Sequence, residues 1–249
     1  MKIIGIIPAR FQSSRFPGKP LALIGNKTMI QRVYEQASKS KFLNKVVVAT
    51  DDDRIAKEVK NFGGEVFLTA TEHLNGTSRC YEVFENLNFQ NPDYYGGIVN
   101  IQGDEPFIDP RQIDMLCNLL IKANAEIATL AKPINTTDEL FNPNVVKLIF
   151  NKNKEVLYFS RNPIPFVRNF DKEEWLKKHT FYKHIGIYGF NSKIFREINK
   201  LQPSQLELAE SLEQLKWLEN NFKIKVDITE IESFGIDTEE DLQKLINII

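Results

Sequence analysis

Residues 3–7, Ile-Ile-Gly-Ile-Ile, are apolar without alternation, the pattern of a strand covered on both faces in a parallel sheet. A polar, turn-rich stretch follows to Pro20. The helical spacing of Met29, Ile30, Val33 and Ala37 then predicts a helix over 29–39. Residues 46–50, Val-Val-Val-Ala-Thr, read as a second buried strand. Asp51, Asp52 and Asp53 open a helix that carries Ile55, Ala56 and Val59 and stops at Gly63-Gly64. The same rhythm continues through a strand at 66–68, a helix near 77–86, a strand at 97–101, a helix at 111–123 and a strand at 127–130. Alternation of this kind predicts an α/β fold with a doubly wound, mostly parallel sheet.

From about residue 132 the rhythm changes. Residues 145–150, 156–159 and 184–190 read as shorter, partly antiparallel strands, and 162–178 as a loop with Pro163 and Pro165. An amphipathic helix is expected at 206–220, a strand at 224–228 and a last helix at 238–249. We see neither a repeat nor a linker. The expectation is one domain over 1–249, with a smaller β-rich subregion at about 132–190.

Composition narrows the function classes. Lys plus Arg is 32 against 33 for Asp plus Glu, so a global basic excess for nucleic acid is absent. The apolar runs at either end are too short for a membrane span or a signal segment, which predicts a cytoplasmic protein without membrane insertion. Cys80 and Cys117 lack metal-ligand spacing and read as buried thiols in a reducing compartment.

Three segments carry candidate chemistry. The first strand runs into Pro8-Ala9-Arg10-Phe11-Gln12-Ser13-Ser14-Arg15-Phe16-Pro17-Gly18-Lys19. Ligands of open α/β sheets bind beyond the carboxyl ends of strands. Arg10, Arg15 and Lys19 suit a polyanion there, though the glycines of a Walker A loop or a GxGxxG turn are missing. The strand at 97–101 ends in Gln102-Gly103-Asp104-Glu105-Pro106, either an acidic turn before a helix or a place for a divalent cation to meet phosphates. In Gly235-Ile236-Asp237-Thr238-Glu239-Glu240-Asp241, Thr238 with Asp241 resembles a capping box. That leaves Asp237 as a candidate second metal carboxylate. His184 sits in a strand with Gly186 and Tyr188 at the same parity; a lone strand histidine is ordinarily structural. His73 and His179 fall in polar loops and read as solvated. Asn75-Gly76-Thr77-Ser78-Arg79 reads as a helix start whose N–H groups suit an anion or a base edge. Trp175 and Trp217 read as core.

The motifs IIPAR (6–10), GKPL (18–21), NGTSR (75–79), QGDEP (102–106), YFSR (158–161), HIGIYGF (184–190) and GIDTEEDL (235–242) occur in one order along nearly the whole chain. On them the sequence resembles the 3-deoxy-D-manno-octulosonate (Kdo) cytidylyltransferases. The resemblance implies a nucleotide-diphospho-sugar transferase-like fold and transfer of CMP from CTP to Kdo with Mg2+. It implies a homodimer formed through the β-rich region, and a role in lipopolysaccharide synthesis. By resemblance, Arg10 and Lys19 bind the CTP phosphates. Pro8, Ala9, Arg15, Ser78, Arg79 and Gln102 line the nucleotide site, although the family often has an acidic residue at position 78. Asp104 and Asp237 hold the metal. Gln102, Arg161, His184, Tyr188, Glu213 and Gln214 form the sugar pocket. Two rivals remain: the same reaction on 8-amino-3,8-dideoxy-manno-octulosonate, and a non-catalytic nucleotide-sugar binding module.

Overall fold

The computed structural model describes residues 1–12, 16–89, 91 and 94–246, so the expectation placed on Arg15 lies outside the described residues. The chain forms two compact units, residues 1–117 with the chain from 233 onward, and residues 118–232. The β-rich stretch expected at 132–190 lies within the second.

The first unit starts with β1 (Ile3–Ala9), in which Ile3, Ile4, Ile6 and Ile7 are fully buried, as the unbroken apolar run requires. A short hairpin of β2 (Leu23–Ile24) and β3 (Lys27–Thr28) follows, then α1 (Met29–Ala37). The Thr28 side chain caps α1 by accepting from the Gln31 N–H. Next come β4 (Lys45–Thr50), α2 (Asp53–Asn61), β5 (Val66–Leu68), α3 (Gly76–Asn88) and β6 (Gly97–Asn100). Helix α4 (Pro110–Lys122) contains the division between the units.

These strands lie in the order β6-β1-β4-β5, all parallel. The chain runs outward from β1 through β4 to β5, then returns to the other side of β1 as β6. Strand order therefore reverses at β1/β6. The carboxyl ends of those two strands flank the crevice where such sheets bind ligands. The expected α/β, doubly wound arrangement is present here, and Cys80 and Cys117 are buried free thiols.

The second unit holds β7 (Ile127–Pro133), α5 (Thr137–Phe141), β8 (Lys147–Phe150), β9 (Val156–Ser160), α6 (Trp175–Lys178) and β10 (Tyr182–Asn191). It continues through α7 (Ser192–Ile198), α8 (Gln205–Glu210), α9 (Glu213–Glu219) and β11 (Ile224–Ile228). Strand β7 pairs parallel with β11 and antiparallel with β10, and β8 pairs antiparallel with both β10 and β9. Trp175 packs with Ile134, Leu140 and Phe181 in a cluster of its own, and Trp217 is buried.

Three local expectations need correction. The stretch 206–220 is two helices: Ser211 takes a left-handed conformation (φ 50°), and the Glu210 and Ser211 carbonyls accept from Arg161. A tertiary partner for those carbonyls replaces one helix by two. The stretch 162–178 is not all loop, because burial of Trp175 anchors α6. Short α5 and α7, capped by Thr136 and Asn191, fall where apolar spacing showed no helix.

Candidate active site

In the first unit a cavity of ≈ 260 Å³ opens at the carboxyl ends of β1 and β6. Pro8 and Ala9 line it from the end of β1, Arg10 from just beyond it, and Gln102, Gly103 and Asp104 from the turn after β6. Lys19, Arg79, His73 and Asp237 complete much of the wall. The two strand ends touch at Gly103, where a Cβ would sit 2.7 Å from the Pro8 carbonyl oxygen. Only glycine permits that approach.

Lys19 is placed by the loop before it. The Gly18 N–H donates to the Phe11 carbonyl (2.8 Å), and Gly18 is left-handed (φ 73°), which turns the chain into Lys19. Pro20 stiffens the single helical turn that carries the lysine. Phe16, Ile24 and Met29 pack with Ile236 and Leu242, joining this loop to the segment bearing Asp237. Burial of each such side chain stabilises by about 1.5–3 kcal/mol, so the juxtaposition rests on apolar packing rather than on charge.

At the centre, Lys19 Nζ donates to Asp104 Oδ2 (2.7 Å) and to the Ile236 carbonyl (2.8 Å), and lies 3.5 Å from Asp237 Oδ1. Two carboxylates and a carbonyl thus converge on one cationic centre. The Thr238 hydroxyl accepts from the Asp241 N–H, and Asp241 accepts from the Thr238 N–H and the Asp237 N–H. The reciprocal cap leaves the Asp237 carboxylate to Lys19's side of the turn. Glu105, beside Asp104, is buried. Burial pushes its carboxyl up to about 7, opposed by the Ser233 hydroxyl that donates to it.

Arg79 is buried. It donates to Thr69, to the Ala70 carbonyl and to Asp51 Oδ2 (2.9 Å), so most of its fork holds the cavity wall together. The Ser78 hydroxyl donates to the Asn75 carbonyl (3.0 Å), and Ser78 is not among the lining residues. His73, read from sequence as a solvated loop residue, instead lines the cavity with Nε2 2.5 Å from Glu82 Oε2. Its signal was faint, a carboxylate nine residues on.

The second unit groups the other residues. Thr129 Oγ1 lies 2.9 Å from the Ile187 carbonyl oxygen and 2.9 Å from His184 Nε2. The hydroxyl has one proton, which the carbonyl requires, so His184 Nε2–H donates to Thr129 and Nδ1 is left as an acceptor. Burial pushes the imidazole down to about 3, so the ring is neutral at pH 7. Its rings meet Phe159 edge-on (5.1 Å) and Tyr188 (5.1 Å). The Tyr188 hydroxyl is buried without a partner among the described residues, and burial followed by nearby Glu213 raises its pKa. Gln214 is buried. Arg161 donates from Nε to the Glu210 carbonyl (2.7 Å), from one terminal nitrogen to the Pro143 carbonyl (3.0 Å) and from the other to the Ser211 carbonyl (3.4 Å). One N–H on each terminal nitrogen remains. Lys147, unremarked in the sequence, is fully buried and donates to the Asn142, Val145 and Arg161 carbonyls.

His184 makes stability depend on pH. An imidazole near 6.5 when unfolded and about 3 when folded binds its proton preferentially in the unfolded chain. Its effect is constant above 6.5, and stability falls as pH drops toward 3, by about 1.4 kcal/mol per pH unit for one proton. Urea unfolding across that window should show a slope one proton shallower for His184→Gln; equal slopes would contradict the neutral, buried ring.

The cytidylyltransferase family matches residues 4–228. A 3-deoxy-manno-octulosonate cytidylyltransferase of Parabacteroides distasonis is 55% identical over 98% of this chain and 96% of its own. One from Bacteroides thetaiotaomicron is 53% identical, again over 98% and 96%. A solved structure of CMP:2-keto-3-deoxy-manno-octonic acid synthetase complexed with CTP superposes with a TM-score of 0.91 at 36% identity, covering 100% of this chain and 98% of that one. With this match along its whole length, the chain belongs to the cytidylyltransferase family, among the 3-deoxy-manno-octulosonate cytidylyltransferases.

Proposed function

We propose that this protein transfers CMP from CTP to Kdo, releasing pyrophosphate and activating the sugar for lipopolysaccharide synthesis. The observation that carries the reading is the convergence of Asp104 and Asp237 on the Lys19 ammonium at the β1/β6 switch point. The anomeric hydroxyl of Kdo gives up its proton to solvent and attacks the α-phosphorus of CTP; the new P–O bond forms as the α–β bridging bond breaks, and pyrophosphate departs. Attack by the sugar oxygen leaves the anomeric carbon untouched, so its configuration is retained. Lys19 and Arg10 neutralise the triphosphate and the charge that grows on the leaving group. No protein nucleophile is needed, because positioning and charge neutralisation supply most of the rate.

The donor set fits Mg2+. Hard oxygens from Asp104 and Asp237 already face a cationic centre, and Mg2+ usually takes one or two carboxylates, waters and substrate phosphates. Among the described residues no cluster of three or more acidic, histidine or cysteine side chains forms a complete cage, which suits an ion completed by substrate. When bound, it would lower the hydroxyl pKa and polarise the α-phosphate. Asp104 and Asp237 would hold it, and Lys19 would then turn to the phosphates.

In the sugar pocket, Arg161 offers its two remaining N–H groups to the Kdo carboxylate. His184 Nδ1 accepts from a sugar hydroxyl, and the unpartnered Tyr188 hydroxyl supports a polar occupant. Glu213 and Gln214 complete the wall. Exposed Leu157, Phe166 and Phe170 support a homodimer through the β-rich stretch. Among the described residues no helix is long and apolar enough to cross a membrane, and we place the enzyme in the cytoplasm.

The test is pyrophosphate release with Mg2+, crossing CTP, UTP, ATP and GTP against Kdo, its 8-amino analogue and a sialic acid. Release with CTP and Kdo is expected. Release with the amino analogue alone would move the substrate and keep the mechanism. Folded protein that binds CTP and releases nothing would leave a binding module, a role that does not require both Asp104 and Asp237.

A further inference from the structure

We propose that Thr129 is a positioning residue of the sugar site: its buried hydroxyl holds a two-residue bulge in β10 and so brings His184 and Tyr188 together. This rests on the proposal that those two side chains face Kdo. Thr129 lies in β7 between Ile127, Ala128, Leu130 and Ala131, all buried, and is itself fully buried. A hydroxyl in such surroundings costs free energy unless it is hydrogen-bonded. Its oxygen lies 2.9 Å from the Ile187 carbonyl oxygen, 3.4 Å from the Ile185 carbonyl oxygen and 2.9 Å from His184 Nε2. All three partners belong to β10, and they cluster at one irregularity in that strand.

Strands β10 and β7 pair residue by residue as far as Ile185 opposite Leu130, and the next pair is Tyr188 opposite Thr129. Strand β10 thus advances three residues while β7 advances one, and Gly186 and Ile187 are the excess. Residues four apart in a regular strand are roughly 13 Å from each other. His184 and Tyr188 instead stand opposite Ala131 and Thr129, and their ring centroids are 5.1 Å apart. Bulges re-aim side chains in this way. The Ile187 carbonyl, inside the bulge, takes the Thr129 proton, and the same oxygen accepts from His184 Nε2–H. One hydroxyl therefore fixes both the backbone between the two rings and the proton on one of them. Phe159 meets His184 edge-on, and Trp217 meets Tyr188 edge-on (5.0 Å), so each ring also has an aromatic support of its own. That packing sets shape. Alignment of the polar atoms falls to Thr129.

The experiment uses the whole chain as wild type, Thr129→Val, which keeps the shape without the hydroxyl, and Thr129→Ser, which keeps the hydroxyl without the methyl. Steady-state pyrophosphate release gives KM for Kdo, KM for CTP and kcat. Nitrogen-15 NMR of the imidazoles, with His184→Gln to assign one of the three histidines, reads the tautomer. Wild type should show His184 protonated on Nε2. Thr129→Val should raise KM for Kdo roughly tenfold, the scale of one buried hydrogen bond, and leave KM for CTP within about twofold and kcat within about threefold. Its His184 signal should move away from the Nε2–H form. Thr129→Ser should return KM for Kdo to within about threefold of wild type, which a purely space-filling role would not produce. A folded Thr129→Val protein with the wild-type KM for Kdo overturns the proposal. So does a variant pair whose loss falls equally on CTP and Kdo. A wild-type His184 protonated on Nδ1 also overturns it, a result that needs no variant to fold. Wild type with the Nε2–H form and no pyrophosphate release from CTP and Kdo would sink the transferase reading instead, leaving the Thr129 hold on His184 and the bulge standing.

Discussion

Asp104→Asn is expected to lower kcat on the order of a hundred- to a thousandfold, with a melting temperature close to wild type. Asp237→Asn should do the same. Both carboxylates face one point, where the Lys19 ammonium sits 2.7 Å from one and 3.5 Å from the other. An amide keeps the shape and the turn geometry but removes a full negative charge. In the proposed metal role the remaining carboxylate would have to hold the divalent cation against the pull of water, so the Mg2+ concentration for half-maximal rate should rise in whatever activity remains. Folding has little reason to suffer. The Asp237 loop is held by Ile236 and Leu242 in the apolar cluster and by the Thr238–Asp241 cap. The amide oxygen that replaces the carboxylate still accepts from the Lys19 ammonium, so the turn keeps its tie to Lys19. Steady-state pyrophosphate release against Mg2+ concentration, with thermal melts of the same samples, decides it. Full activity in either variant would remove that residue from the reaction.

Lys147→Met is expected to destabilise the second unit strongly. The ammonium is fully buried and donates to three backbone carbonyls, Asn142 (2.9 Å), Val145 (2.6 Å) and Arg161. Methionine fills the volume and leaves all three oxygens without their donor. Each stranded buried acceptor costs about 1–3 kcal/mol before relaxation, so a net loss of about 2–5 kcal/mol is expected. In a chain of this size that is roughly 4–20 °C in Tm. Burial also holds the Lys147 pKa below 10.5. Between the lowered value and 10.5 the unfolded chain binds more protons, so wild-type stability rises with pH across that window, and the variant loses that slope. Because the Arg161 carbonyl is one of the three oxygens, KM for the sugar should rise more than kcat falls. A melting temperature within about 2 °C of wild type would show that the three carbonyls find other partners.

Legibility from sequence was uneven for a physical reason. Buried parallel strands and capped amphipathic helices are local patterns, and the apolar runs at 3–7, 46–50 and 97–101 became β1, β4 and β6 within a residue or two. The glycine and acidic punctuation at 102–106 and 235–242 was equally visible, because turns and caps depend on near neighbours. The second unit was harder. Arg161 draws the Glu210 and Ser211 carbonyls out of a helix that spacing alone predicts. The α6 turn exists because Trp175 finds Ile134, Leu140 and Phe181. Arg161 lies 49 residues from Glu210, and Ile134 and Leu140 lie more than thirty residues before Trp175, so periodicity carries no information about them.

The sequence by itself determined which segments are buried on both faces, where the β1 and β6 loops begin and which cations and carboxylates they carry. Motif order along the chain determined the family. Only the tertiary structure decided that Lys19, Asp104 and Asp237 share one centre across 85 and 218 residues of separation. It also decided that His184 is neutral with its proton on Nε2, that Lys147 is a buried strut, and that His73 belongs to the cavity wall. Each depends on distance and burial between residues remote in sequence, and those follow from how the strands and helices pack rather than from local pattern.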